Sequence, residues 1–279
     1  MNSAVSLPSQ VAPRDAAPLA PTVTEPGTCA IIPTYNNPLT IGHVVQTVQT
    51  WIPTVIVVDD GSAEEGRAAI DALAFRPGVE VVRRPQNGGK GAAVKDGLRR
   101  AEQLGFSHAL QVDADNQHDL LRIPALLAES KRHPEALILA YPEFDETVPK
   151  GRLHARKITI FWTTLETFGR SIIDPMCGFR IYPVKDTVQV LPRSNYMDFD
   201  PEIAVRLVWH GVPVVNVATK VRYLTAAEGG VSNFHIFYDN VRISWMHTRL
   251  FTLSIFLFLF RPQKILRARR AARALKSHG

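Results

Sequence analysis

Several signatures are missing from this chain, and each absence narrows what it does. No Gly-x-Gly-x-x-Gly turn follows the first apolar run, Cys29–Ile32, which ends instead in Pro33-Thr34-Tyr35-Asn36. That argues against a dinucleotide cofactor. There is no Walker loop, because Lys90 is followed by Gly91 and not by Ser or Thr. Cysteine is scarce: Cys29 and Cys177 share no metal-ligand spacing and imply no disulfide framework, which fits a reducing compartment. Acidic residues are absent from 240–279, where nine Lys or Arg stand. The chain's net +6 and its pI near 9.5 therefore belong to that end, and the remainder is net acidic. Nucleic-acid binding by the main body gains no support. No apolar run reaches the roughly 20 residues of a spanning helix. The longest, Leu250–Phe260, is bracketed by Arg249 and Arg261. Residues 1–27 lack a charged segment followed by an apolar core, so a secretory signal is not expected. Their Ala, Pro, Ser and Thr content predicts a disordered arm.

What is present is ordinary globular composition, with 46% hydrophobic and 21% charged residues in 279. That suffices for one large α/β domain with appendages. Strand patterns at 29–32, 53–58, 79–83, 109–112 and 136–140 alternate with helical spacing at 39–51, 63–75, 91–104 and 120–131. This rhythm predicts a mostly parallel sheet sandwiched by helices. A helix over 154–168, a loop entering a strand at 177–182, a helix over 200–210 and a strand at 212–217 complete the expected domain. In such sheets ligands bind beyond the carboxyl ends of the strands.

Polar clusters sit at those ends. Asp113 and Asp115, one residue apart, directly follow the stretch 108–112. A strand ending this way delivers both carboxylates to one pocket. Two anions so close raise each other's pKa unless a cation lies between them. Mg²⁺ or Mn²⁺ would do that and would also bind phosphate oxygens. A solvated capping turn has the same pattern, so the neighbouring clusters decide. Asp59-Asp60-Gly61-Ser62 closes the second strand. Asn87-Gly88-Gly89-Lys90-Gly91 precedes a helix, where glycines admit close backbone approach and a helix N-terminus attracts phosphate.

Taken in order, Ile32–Asn36, Val57–Ser62, Asn87–Gly91, Asp113–His118 and Cys177-Gly178-Phe179-Arg180 resemble the family 2 glycosyltransferases. The resemblance covers roughly residues 28–225 and is strongest to the dolichol- and polyprenyl-phosphate sugar synthases. It implies the GT-A fold, Rossmann-like, and a nucleoside-diphosphate sugar donor. It implies that Pro33, Tyr35 and Asp59 hold base and ribose, and that Lys90 lies near ribose or diphosphate. Asp113 and Asp115 would bind nucleotide and metal, with Gln117 completing the metal site. Arg180 would meet phosphate, and transfer would invert the anomeric carbon.

The acceptor is the open question. Asp200-x-Glu202-x-x-x-Arg206 matches the family's acidic motif, in which a carboxylate acts as base. A hydroxyl acceptor needs a base, whereas an ionised polyprenyl phosphate does not. The presence of Asp200 favours a lipid-type hydroxyl, with Asp200 as base and Glu202 second. The alternatives are a polyprenyl-phosphate acceptor with Asp200 structural, and a non-catalytic nucleotide-sugar-binding membrane scaffold. Asp and Glu also suit the first turn of a helix on charge grounds alone. The Gly-x-Ser-like loop at 228–235 resembles the synthases only in part. The apolar stretch 250–260 beside the basic stretch 264–276 reads as an interfacial anchor on an anionic membrane. The expected layout is an arm to 27, a catalytic domain over 28–235 and C-terminal amphipathic and apolar helices over 236–279. The protein would sit peripherally on the cytoplasmic face.

Overall fold

A computed structural model describes residues 27–143, 150–169, 172–220 and 236–260, with 150–155 and 236 described by backbone alone. The arm before 27, the loop at 228–235 and the basic stretch beyond 260 lie outside the described residues.

Seven strands form one sheet: β1 (Thr28–Thr34), β2 (Val55–Asp59), β3 (Val79–Arg83), β4 (His108–Gln111), β5 (Leu137–Glu143), β6 (Arg180–Pro183) and β7 (Val214–Lys220). Their order is β3-β2-β1-β4-β6-β5-β7. Only β6 runs antiparallel, to β4 on one side and β5 on the other. The helices are α1 (Ile41–Gln49), α2 (Glu64–Ala74), α3 (Lys90–Gln103), α4 (Ile123–Arg132), α5 (Lys150–Glu166), α6 (Val184–Gln189), α7 (Phe199–His210) and α8 (Ile236–Phe260).

Every residue of β1 and β2 is buried, as expected of strands covered on both faces. The period of two sorts their side chains. Ala30, Ile32, Val55 and Val57 face Ile41, Val44 and Val48 of α1, Ile70 of α2 and Leu126 of α4. Cys29, Ile31, Ile56 and Val58 face Val94 and Leu98 of α3 and Ile203 and Leu207 of α7. The expected α/β architecture, a mostly parallel sheet between helical layers, is the observed one.

The C-terminal helix differs from the expectation. Residues 250–260 are the last part of α8, which has 25 residues and is about 37 Å long. The segment Phe237–Phe260 is long and apolar enough to cross a membrane by length and composition; an 18-residue window within it has mean hydropathy 1.4 and is 28% buried. Ile243, Met246 and Leu250 pack with Val205 of α7. Arg249 pairs with the fully buried Glu202 of α7. Asp239 and Arg249, which interrupt the apolar pattern upstream of 250, thus meet partners within the fold. Beyond Leu250, Phe256, Phe258 and Phe260 are exposed.

Candidate active site

The loops at the carboxyl edge of the parallel strands converge on a cavity of about 1210 Å³. Because β6 is reversed, the loop before it, not the one after it, reaches this edge. The walls include Pro33 and Tyr35 after β1, Asp60 after β2, Asn87, Gly89 and Lys90 before and at the start of α3, and Asp113, Asp115, Gln117 and His118 after β4. Gly178 before β6 and Asp200 at the start of α7 close it on the third side, and α5 and α8 extend it.

Lys90 is the hub. Its Nζ lies 2.7 Å from Asp113 Oδ1 and 3.0 Å from Asp200 Oδ2. Burial by itself would lower its pKa, but the two carboxylates outweigh that and hold the ammonium above the ordinary lysine range. Burial likewise opposes ionisation of Asp113, and Lys90 and His118 overcome it, so its pKa is depressed. His118 Nε2 stands 3.2 Å from Asp113 Oδ2, with its ring stacked on Phe179. Asp115 has its pKa raised by burial and by the Asp113 charge, which outweigh the opposing effects of His118, the Gln117 N–H and Lys90. Its Oδ1 accepts the Gln117 backbone N–H at 3.1 Å, across the left-handed Asn116.

Gly178 lies against this cluster. A Cβ there would come within 2.5 Å of Lys90 Nζ and 2.7 Å of Asp113 Oδ2. A side chain there would push these side-chain ends out of their present contact, so glycine lets the loop before β6 close over the ion pair as it stands.

Asp200 is fixed from behind. Gln111 Nε2 donates to its Oδ1 at 3.2 Å, and the Tyr182 hydroxyl donates to Gln111 Oε1 at 2.8 Å. Arg180 Nη1 donates to the Asp200 carbonyl at 2.9 Å. The other guanidinium hydrogens go to the carbonyls of Cys177 and Pro175. Arg180 is fully buried and does not line the cavity, so the phosphate contact expected of it is not the one its side chain makes. It braces the loop that carries Gly178.

Glu202 is also displaced from its expected place. Its carboxylate is fully buried, bonded to Arg206 Nε at 2.8 Å and to Arg249 of α8, and it faces away from the cavity. Two residues apart on α7, the Asp200 and Glu202 side chains point to nearly opposite sides of the helix.

Of the two aspartates at the end of β2, the cavity is lined by Asp60 and not by Asp59. Asp59 accepts the Ser62 N–H at 2.9 Å and pairs with Arg83 at 3.0 Å, and it does not line the cavity. Asp60 does, and its carboxylate accepts the N–H groups of Gly88 and Gly89 at 2.9 and 2.8 Å. Gly89, at φ +94°, takes a left-handed-side conformation that lets Lys90 begin α3 facing Asp113. Pro33, Tyr35, Lys90, Asp113, Asp115, Gln117 and Asp200 are thus brought together, and Asp59, Arg180 and Glu202 stand outside.

The glycosyl transferase family 2 model matches residues 29–187, more than half of the chain. This chain belongs to glycosyl transferase family 2. The undecaprenyl-phosphate mannosyltransferase of Micrococcus luteus is 29% identical over 206 residues, covering 67% of this chain and 80% of that one. The UDP-N-acetylglucosamine–dolichyl-phosphate N-acetylglucosaminyltransferase of Methanococcus voltae is 26% identical over 179 residues, covering 58% and 70%. Among solved structures, glucosyl-3-phosphoglycerate synthase from Mycobacterium tuberculosis, in complex with Mn²⁺, UDP and phosphoglyceric acid, has a TM-score of 0.61 at 17% identity. That likeness covers 80% of this chain and 78% of that one, and it establishes the shared GT-A architecture. As a family 2 member the protein is a glycosyltransferase.

Sequence reasoning missed Asp60, because two adjacent aspartates at a strand end offer no cue to which one turns toward the next loop. It also missed Gly178 as a packing requirement, and Glu166 and His247, which lie far apart in sequence and meet only when α8 folds back onto α5.

Proposed function

We propose that this protein transfers a sugar from a nucleoside diphosphate to the phosphate of a membrane polyprenyl lipid, with inversion. The observation that carries this reading is the state of the two carboxylates considered as bases. Asp200 is paired with Lys90 and held by Gln111 and Arg180. Glu202 is paired with two arginines outside the cavity. In this geometry both carboxylates are engaged by internal cations, whereas a hydroxyl nucleophile needs one directed at it as a base. An ionised phosphate needs none, and the relatives named above act on undecaprenyl and dolichyl phosphates. This displaces the hydroxyl acceptor that Asp200 suggested in the sequence.

Pro33 and Tyr35 would flank the nucleoside, and Lys90 would meet the diphosphate. Asp113 and Asp115 fit a hard divalent ion. Asp115 is a half-buried carboxyl whose pKa burial and the neighbouring Asp113 charge raise, the condition a cation relieves. No group of three or more His, Cys, Asp or Glu with metal-binding geometry occurs among the described residues. The protein's share of the ligands is therefore small, as for Mg²⁺ or Mn²⁺ held jointly with substrate phosphates. Such an ion, when bound, neutralises charge on the departing diphosphate. In the displacement, an acceptor phosphate oxygen forms a bond to the anomeric carbon as the bond to the diphosphate oxygen breaks. The electron pair leaves with the nucleoside diphosphate, beside the Lys90 ammonium.

The acceptor's chain would lie along α5 and α8. Ile158, Phe161 and Leu165 form an exposed stripe on α5, and Val241 and Trp245 one on α8. Together with the phenylalanines at the end of α8 they suit a peripheral position on a membrane surface, and the basic sequence beyond 260 suits anionic lipid.

The test is transfer from a panel of UDP-, GDP- and dTDP-sugars, with Mg²⁺ or Mn²⁺, to undecaprenyl phosphate and, in parallel, to undecaprenol. Product on the phosphate alone is expected. Product on the alcohol, or no turnover with any donor, overturns the reading.

A further inference from the structure

The cavity wall contributed by α5 and α8 holds a pair of buried titratable groups far from the Lys90 cluster in sequence. His247 Nδ1 lies 2.8 Å from Glu166 Oε1. Glu166 is fully buried, and its carbonyl accepts the Trp209 indole N–H at 2.8 Å, so its position is set by three helices, α5, α7 and α8. The His247 ring is 3% exposed and stacks on Trp162 with centroids 6.4 Å apart. Its Nε2 has no hydrogen-bond partner among the described residues, yet His247 lines the same cavity as Lys90 and Asp113.

A buried ring nitrogen without a partner costs about 1–3 kcal/mol. Pairing with the buried Glu166 carboxylate uses Nδ1 alone and leaves the cost at Nε2 unexplained. The pair is expensive as structure and sensible as a ligand contact. With Nδ1–H directed at the Glu166 carboxylate, the tautomer is set and Nε2 is the nitrogen left for a ligand.

We infer that His247 contacts the phosphate of the acceptor, with Glu166 as the residue that positions it. This deepens the phosphate-acceptor reading and rests on it. A phosphate monoester loses its second proton near the pH at which imidazole titrates. One proton shared between a phosphate oxygen and Nε2 satisfies both partners, whichever carried it beforehand. Imidazole with carboxylate behind it thereby matches a phosphate monoester. A free alcohol offers only a neutral hydroxyl to the same nitrogen. The surrounding wall is mixed in the way a lipid phosphate requires: Thr159, Ser244 and Thr248 are polar, and Trp162 and Ile243 are apolar.

The experiment compares the wild-type full chain with His247→Gln and Glu166→Gln, measuring KM separately for undecaprenyl phosphate and for the sugar donor. Thermal melts establish that each variant is folded. His247→Gln is expected to raise the acceptor KM about tenfold or more, the worth of one charge-assisted hydrogen bond, with the donor KM within about twofold. Glu166→Gln retains an acceptor for Nδ1–H and is expected to fold and to raise the acceptor KM about threefold, again sparing the donor. An unchanged acceptor KM in either folded variant overturns the inference while leaving the phosphate reading intact. A wild-type enzyme that uses undecaprenol and not its phosphate overturns both.

Discussion

Lys90 Nζ lies 3.0 Å from Asp200 Oδ2, so the carboxylate best placed to act as a base is engaged by an ammonium on the cavity wall. If that pairing is its role, the consequence is measurable. Removing a working general base costs a factor of roughly 10²–10⁴. Asp200→Asn should lower kcat by less than about tenfold, because the amide keeps its size and its contact to Gln111. Single-turnover rates with saturating polyprenyl phosphate decide it, and a loss beyond about a hundredfold restores Asp200 as the base.

Lys90→Met should do more damage. It leaves Asp113, Asp115 and Asp200 facing one cavity without their common cation. A stability loss of ~3 kcal/mol is expected, read by urea denaturation, because unpaired buried charges are costly. Donor affinity should fall by about 10- to 100-fold, read by calorimetry with the nucleoside diphosphate.

Glu202→Gln separates structure from chemistry. The substitution leaves Arg206 and Arg249 around a neutral amide and loosens α8 from α7. The melting temperature should drop, with a loss of ~3 kcal/mol, while kcat per folded molecule changes by less than about threefold. A kcat loss at unchanged stability would return Glu202 to the catalytic machinery.

These outcomes bear on how much the sequence made legible. The parallel strands were readable because they are buried on both faces and so appear as unbroken apolar runs between turn residues. The direction of β6 was not, since Arg180–Pro183 carries no mark of orientation and its pairing with β4 and β5 is long-range. At the site, Lys90, Asp113 and Asp115 were legible as clusters at strand ends. That Arg180 and Glu202 are buried off the cavity wall was not legible: a charged residue in a polar motif reads as ligand-binding, and burial with internal partners leaves no trace in local pattern. The reach of α8 was hidden by Asp239, Arg242, His247 and Arg249, which break the apolar run in sequence and meet buried or aromatic partners in the fold.

Asp198 supplies a pH test. Burial raises its pKa, so the folded state holds this proton more tightly than the unfolded one. Its ionisation therefore costs stability above the folded pKa, and the cost disappears below the unfolded value of about 3.9. Asp198→Asn, which keeps an oxygen for the Tyr196 N–H, should melt higher than wild type at pH 7.5. The difference should shrink as pH falls toward 4. A constant difference across that range would show that burial of the charge is not its origin.

Membrane contact is tested at the far end of α8. Phe256, Phe258 and Phe260 are more than half exposed. Changing all three to Ser should reduce co-flotation with phosphatidylglycerol vesicles by at least about tenfold, since each buried phenylalanine contributes about 1.5–3 kcal/mol. Activity toward a short-chain, water-soluble prenyl phosphate should be retained. Equal flotation of variant and wild type would remove α8 from the membrane contact.

The single reversed strand has a consequence for how this site tolerates change. Had β6 been parallel, the segment carrying Gly178 would open at the opposite rim, and a separate loop would have to travel across the sheet to cover Lys90. With one reversal, two short segments from adjacent strands, after β4 and before β6, meet edge to edge. Their separation is then set by ladder hydrogen bonds and not by loop length. The face that α5 turns to the cavity can then change to suit a different acceptor while the ion pair beneath Gly178 keeps its spacing.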